Sequence, residues 1–178
     1  MVRPLGHDRR ATSVLAVAVT ADTNTRVATT RLLEALGAFG SVGHLTAARV
    51  GRDLGRPDIA DIGTDDPGAA RLGAYLHEVE LGHDLLVVEV ADRDSDAWTR
   101  RAFGLADRVL LVVSPEPDED ERAAIVRLSG LVPPPTTVIG VVHHPTDAER
   151  PRGSVALAGD LGFDEVLHVR AGSGGDLG

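Results

Sequence analysis

The chain has 178 residues, with 18 basic side chains, all of them arginine, 27 acidic ones, 7 histidines and no cysteine. That length makes one domain the default, large enough to bury roughly 70% of the surface its unfolded form exposes without disulfide or metal. A net charge of −9, with the arginines scattered in ones and twos, argues against a nucleic-acid backbone as partner. Without cysteine there is no thiol nucleophile or thiolate metal site, and no apolar run approaches the roughly 18 to 20 residues of a membrane span.

Residues 1–12 are polar and Arg-rich and predict a flexible segment ahead of a single α/β domain over residues 13–170. Five nearly continuous Val/Leu/Ile runs predict strands covered on both faces: Val14 to Val19, Leu85 to Val90, Val109 to Val113, Val138 to Val142 and Val166 to Val169. A weaker run, Val42 to Thr46, adds a sixth. Between the first two, Ala28, Leu32, Ala35, Leu36 and Phe39 make a helical stripe that stops at Gly40. Residues 47–67, rich in Gly, Asp and Pro, predict an irregular excursion with one short helix.

Leu72, Leu76 and Val79 form the next helical stripe, ended by Gly82. Asp96 is placed to cap a helix carrying Trp98, Ala102 and Ala106. Asp118 with Glu121 three residues on has the spacing of a capping box ahead of Ile125 and Leu128. Gly153 or Ser154 opens a last helix that closes at Gly162, and Ala171 to Gly178 is a Gly/Ser/Asp tail that predicts a flexible linker toward a further C-terminal domain. Strand and helix alternate throughout, which predicts right-handed crossovers and an open, doubly wound, mostly parallel sheet of about six strands with helices on both faces, a Rossmann-like α/β architecture.

In such a sheet ligands bind at the carboxyl ends of the strands. The loop after the first strand, Thr20-Ala21-Asp22-Thr23-Asn24-Thr25-Arg26, stands where a phosphate-binding loop belongs, and Thr23, Asn24 and Thr25 are its candidate anion contacts at the start of a helix. The loop has no glycine to let the backbone wrap a phosphate, and the chain has no lysine to reach one. Nucleotide is therefore expected to bind weakly or not at all, and no cofactor is expected. His143-His144 follows a strand, but adjacent residues point different ways, and no metal site is expected there.

At the level of strand, helix and strand, the stretch from His83-Asp84-Leu85-Leu86-Val87-Val88-Glu89-Val90 to Ser114-Pro115-Glu116 resembles the region around the second acidic motif of MinD/ParA-like P-loop ATPases. Those families carry an Asp where Glu89 stands and a lysine-bearing loop that is absent here. The likeness implies their fold without their activity. A nucleotide-binding switch of that kind is the alternative reading, and a free-standing interaction domain a further one.

A closer resemblance rests on Asp92, Trp98-Thr99-Arg100-Arg101 and Ala106-Asp107-Arg108-Val109-Leu110-Leu111-Val112, followed by Val141-Val142-His143, Pro151-Arg152-Gly153-Ser154 and Val166-Leu167-His168-Val169-Arg170. These resemble the segment ahead of the catalytic domain in bacterial neuropathy-target-esterase-type patatin-like phospholipases, over roughly Leu76 to Arg170. The resemblance implies a linker or regulatory domain without catalysis of its own, between cyclic-nucleotide-binding modules and a patatin hydrolase, in a cytoplasmic protein whose parent can be membrane-associated. The chain itself contains neither the G-x-S-x-G elbow nor the Asp-Gly dipeptide of that hydrolase. Trp98 reads as a packing anchor. Two consecutive arginines beside it can pair with the acidic run Glu116 to Glu121 or face a neighbouring domain, so Trp98, Thr99, Arg100 and Arg101 are the candidate interface.

Overall fold

The structure, a computed structural model, describes residues 12–20, 25–91, 95–144 and 159–170. In chain order the elements are β1 (Ser13–Val19), α1 (Thr25–Leu36), β2 (Val42–Leu45), α2 (Ala47–Asp53), a 3₁₀ turn (Ile59–Asp61), α3 (Ala69–Leu81), β3 (Leu85–Val90), α4 (Asp96–Leu105), β4 (Arg108–Val113), α5 (Glu119–Ser129), β5 (Thr137–His144) and β6 (Glu165–Arg170). The six strands form one parallel sheet in the order β2-β3-β1-β4-β5-β6. From β1 the chain moves to one edge of the sheet, and from β2 onward it moves steadily to the other, so the reversal of direction falls at β1. This is the doubly wound α/β fold that the alternation of apolar runs and helical stripes implies.

Alternation along each strand divides the core between two faces. Val14, Ala16, Ala18, Val88, Val109, Leu111 and Val113 point to the face covered by α2, the 3₁₀ turn, α3, α4 and α5, where Val50, Ile59, Leu72, Trp98, Phe103, Ile125 and Leu128 meet them. Val17, Val87 and Val112 point to the opposite face, where Leu32, Leu33 and Leu36 of α1 cover them. The strands are apolar on both sides because both sides of the central sheet are covered.

An aspartate one residue ahead of a strand recurs as a staple at the amino edge. Asp107 Oδ2 accepts from Val14 N at 2.8 Å, Asp164 Oδ2 from Val138 N at 2.7 Å, and Asp84 Oδ2 from Ser41 N at 2.9 Å. The same three residues each donate a backbone N–H to a neighbouring strand or its approach: Asp107 to Val14 O, Asp164 to Val138 O and Asp84 to Ser41 O. Each carboxylate thus satisfies a backbone donor that precedes the regular ladder.

Several local expectations are corrected. α1 ends at Leu36 and Phe39 is 78% exposed, because the chain must turn through residues 37–41 into β2. Gly40 serves that turn by close approach: a Cβ there would lie 2.9 Å from Asp84 Oδ2. The cap of α4 is Ser95, whose hydroxyl accepts from Trp98 N at 3.2 Å, while Asp96 takes the first helical position. Thr12, assigned by composition to the leading segment, donates its hydroxyl to Glu80 O and His83 O. The excursion at 47–67 holds both α2 and the 3₁₀ turn. Of the last helix, residues 159–161 are helical and Gly162 follows with φ +72, while its expected start at Gly153 or Ser154 lies outside the described residues.

Candidate functional site

The carboxyl edge around β1, β3 and β4 is where this topology places a ligand crevice. Thr23 and Asn24 lie outside the described residues, and Thr25 opens α1 with only its backbone described. The described part of this edge is formed by Thr20, Ser114 and Glu121. Thr20, just past β1, donates its backbone N–H and its hydroxyl to Val112 O, each at 3.0 Å. The hydroxyl also lies 3.1 Å from Glu121 Oε1.

Glu121 bridges the ends of the neighbouring strands β1 and β4. Its Oε1 accepts from Ser114 N at 2.8 Å, and its Oε2 accepts from the Ser114 hydroxyl. Asp118 caps α5 as its spacing implies, accepting from Glu121 N at 2.8 Å. The reciprocal half of the box is absent, since the Glu121 carboxylate turns to Ser114 and Thr20 instead of the cap's own N–H. The residue that reads as the second member of the capping box therefore ties the ends of β1 and β4 together at the sheet's carboxyl edge.

A second carboxylate stands on the α1 side. Glu89 on β3 is in register with Val17 of β1, and its Oε2 lies 2.9 Å from His44 Nε2 on β2. Arg49 adds a hydrogen bond to His44 O at 2.7 Å. In the second turn of α1, Thr29 is 2% exposed and its hydroxyl has no hydrogen-bond partner among the described residues. Glu121 thus stands at the carboxyl end of β1, and Glu89 beside that strand on the α1 side.

The expected interface at Trp98 to Arg101 is drawn inward. Trp98 is fully buried, and its Nε1 donates to Glu89 O at 3.1 Å. Thr99 is buried and donates to Ser95 O at 2.9 Å. Arg101 neither pairs with residues 116–121 nor faces outward: Nη1 donates to Ala60 O at 2.6 Å and Nη2 to Ile62 O at 2.9 Å, fastening the 3₁₀ turn to α4. Ser95 reinforces the same junction by donating to Asp61. Arg100 alone of the four is exposed. Two adjacent helical residues point about 100° apart, so one arginine can serve the core side and the other the solvent.

His143 and His144 diverge in the same way. His143 faces the α1 side, where burial and then the charge of Arg31 depress its ring below the ordinary histidine range. His144 lies against His168 of β6, with Nε2 and Nδ1 2.7 Å apart. Among the described residues no three His, Asp or Glu side chains come together as metal ligands. Neither the bridging by Glu121 nor the His144–His168 pair was legible in the sequence, because each joins residues whose spacing carries no periodic signal.

No family model and no curated protein matches this chain. Among solved structures it is similar to a ParA family ATPase from Chlorobium tepidum, with a TM-score of 0.60 and 10% identity over 89% of this chain and 84% of that one. It is also similar to a GTPase in apo form from Pyrococcus abyssi, with a TM-score of 0.53 and 12% identity over 90% of this chain and 91% of that one. The likeness is one of fold. The ParA-type, P-loop-like architecture is shared, while at such identities no site residue is carried across. Among the described residues no helix is long and apolar enough to cross a membrane.

Proposed function

We propose that this chain is a non-catalytic regulatory or positioning domain, built on a ParA-type fold, of a larger patatin-like (lyso)phospholipase or esterase. The observation that supports the non-catalytic part is the carboxyl edge itself, where the Glu121 carboxylate accepts from Ser114 of β4's end and Thr20 of β1's end. A fold that binds nucleotide elsewhere here has a carboxylate at the crevice, a loop without glycine and a chain without lysine. The lipid-hydrolase part is supported by the residue pattern over Leu76 to Arg170. Its most specific pieces, Trp98-Thr99-Arg100-Arg101 and Ala106-Asp107-Arg108, are residues that hold this fold together: Trp98 in the core, Arg101 on the 3₁₀ turn and Asp107 on β1. The partners under this reading are a patatin hydrolase domain and cyclic-nucleotide-binding modules of the same protein, in the cytoplasm.

Two measurements test it. Calorimetry with ATP or GTP and Mg²⁺ should give no heat of binding up to about millimolar nucleotide, which corresponds to less than about 4 kcal/mol of affinity. A micromolar dissociation constant would instead favour the nucleotide switch suggested by the ParA-family and GTPase neighbours. The open reading frame that encodes this chain should contain a G-x-S-x-G elbow and an Asp-Gly dipeptide, and a frame without them rejects the hydrolase assignment.

A further inference from the structure

At the carboxyl end of the sheet's β5–β6 edge, two imidazoles meet across adjacent strands. The register pairs Val142 with His168 and His144 with Arg170, so the two histidines lie diagonally on the face that also carries Gly140 and Val166. Their nitrogens are 2.7 Å apart, and the rings stack with centroids separated by 5.0 Å at 29° between planes. His144 is 7% exposed. β6 is the edge strand, with β5 as its neighbour. An N–H···N bond between imidazoles requires one of the rings to accept, hence to be neutral. With both rings protonated, two N–H groups and two positive charges would face each other at that distance.

We propose that His144 and His168 form a proton-operated latch that holds the carboxyl end of edge strand β6 on β5 at neutral pH and releases it when both rings are protonated. Among the described residues, these titratable groups lie on the elements around the pair. On β5, His143 points to the opposite face, toward the charge of Arg31. On β6, Glu165 is exposed at the far end of the strand, and Arg170 stands opposite His144 in the register. Asp164 is engaged by Val138 N, and Asp160 is exposed. On α5, Glu121 is held by Ser114, Arg122 donates to Pro117 O and Arg127 pairs with Asp96, while Glu119 and Asp120 are exposed. Burial first, and the neighbouring His144 second, push the His168 ring below its ordinary value. The sign follows: a histidine depressed in the folded state contributes stability that is fully present above its unfolded value of about 6.5 and is lost as pH falls below it. The latch is independent of any role of the chain in a larger protein.

The test uses the full chain, with imidazole ¹⁵N shifts followed from pH 8 to pH 5 and amide exchange of residues 165–170, corrected for the intrinsic rate, measured at pH 7.5 and 5.5. The expected result is coupled titration of the two rings, with the second proton binding below about 6.5. Corrected exchange at the end of β6 should rise about tenfold at the lower pH while the β1–β4 ladder stays unchanged. His168→Gln keeps an acceptor for His144 without a second ionisation, and should remove the pH dependence of β6 exchange. If that variant does not fold, His144→Gln serves the same purpose. Independent titration of both rings near the ordinary value, pH-invariant exchange of β6 in the unmodified chain, or a variant that keeps the full pH dependence overturns the latch.

Discussion

The guanidinium of Arg101 grips the backbone of the 3₁₀ turn, donating to Ala60 O at 2.6 Å and placing its second nitrogen 2.9 Å from Ile62 O. The excursion docks through Val50, Leu54, Ile59, Ala60 and Ile62, all buried in the core. The charged fork adds two hydrogen bonds to carbonyls of the same turn. Arg101→Ala removes two charge-assisted donors and leaves partly buried carbonyls unsatisfied, so a loss of about 1.5 to 3 kcal/mol is expected in chemical denaturation. Arg100→Ala, on the exposed side of the same helix, should stay within about 0.5 kcal/mol. Equal effects of the two substitutions would refute the division of labour between them.

Asp107 fastens β1 to β4 through Val14 N at 2.8 Å. Asp107→Ala orphans that N–H and should cost about 1 to 3 kcal/mol. Asp107→Asn retains an acceptor oxygen and should recover most of it. Amide exchange at Val14 is the local readout, rising strongly in the alanine variant and little in the asparagine one.

Gly140 on β5 is required by packing. A Cβ there would lie 2.3 Å from Cδ2 and 2.6 Å from Cε2 of Phe163, which is itself buried. Gly140→Ala should therefore destabilise by about 1 to 3 kcal/mol, as overpacking does. Combining it with Phe163→Leu should cost less than the sum of the single changes, because the second substitution vacates the space the methyl needs. Strict additivity in a double-mutant cycle would show that the ring is not what the methyl meets.

Tyr75 is the sole tyrosine, and its hydroxyl donates to Asp53 Oδ2 at 2.6 Å. Burial first, and then the hydrogen bond to Asp53, push its ionisation up to about 12. A group raised in the folded state contributes stability below its unfolded value, about 10 for a phenol, and loses it as pH rises through the folded one. Ultraviolet titration of the native chain should show phenolate forming near 12, and Asp53→Asn should bring it down. Ionisation at the ordinary value in the unmodified protein would contradict the pairing of Tyr75 with Asp53.

Much of the fold was legible because its signals are local. Doubly covered strands must be apolar at successive positions, so Leu85 to Val90 announces itself to the residue, and the run at Val109 to Val113 misses only Arg108. Capping is equally local at Asp118, whose partner is three residues away. The cap of α4 shows the limit of such reading: Ser95 and Asp96 are both good N-cap residues, and only the backbone at Ser95, extended rather than helical, decides between them.

What the chain by itself determined was therefore the α/β class, the approximate strands and the lack of glycine and lysine at the phosphate-binding position. These follow from composition and period, which do not depend on how distant segments meet. Tertiary structure decided the strand order, the inward use of Arg101, the turning of Glu121 from the capping box to Ser114 and Thr20, and the meeting of His144 with His168. For these three side chains a plausible local partner existed or none, and their environment was set by segments 7 to 101 residues away in the chain. Hydrogen bonding of a partly buried charge goes to whichever donors or acceptors the packed elements bring within about 3 Å.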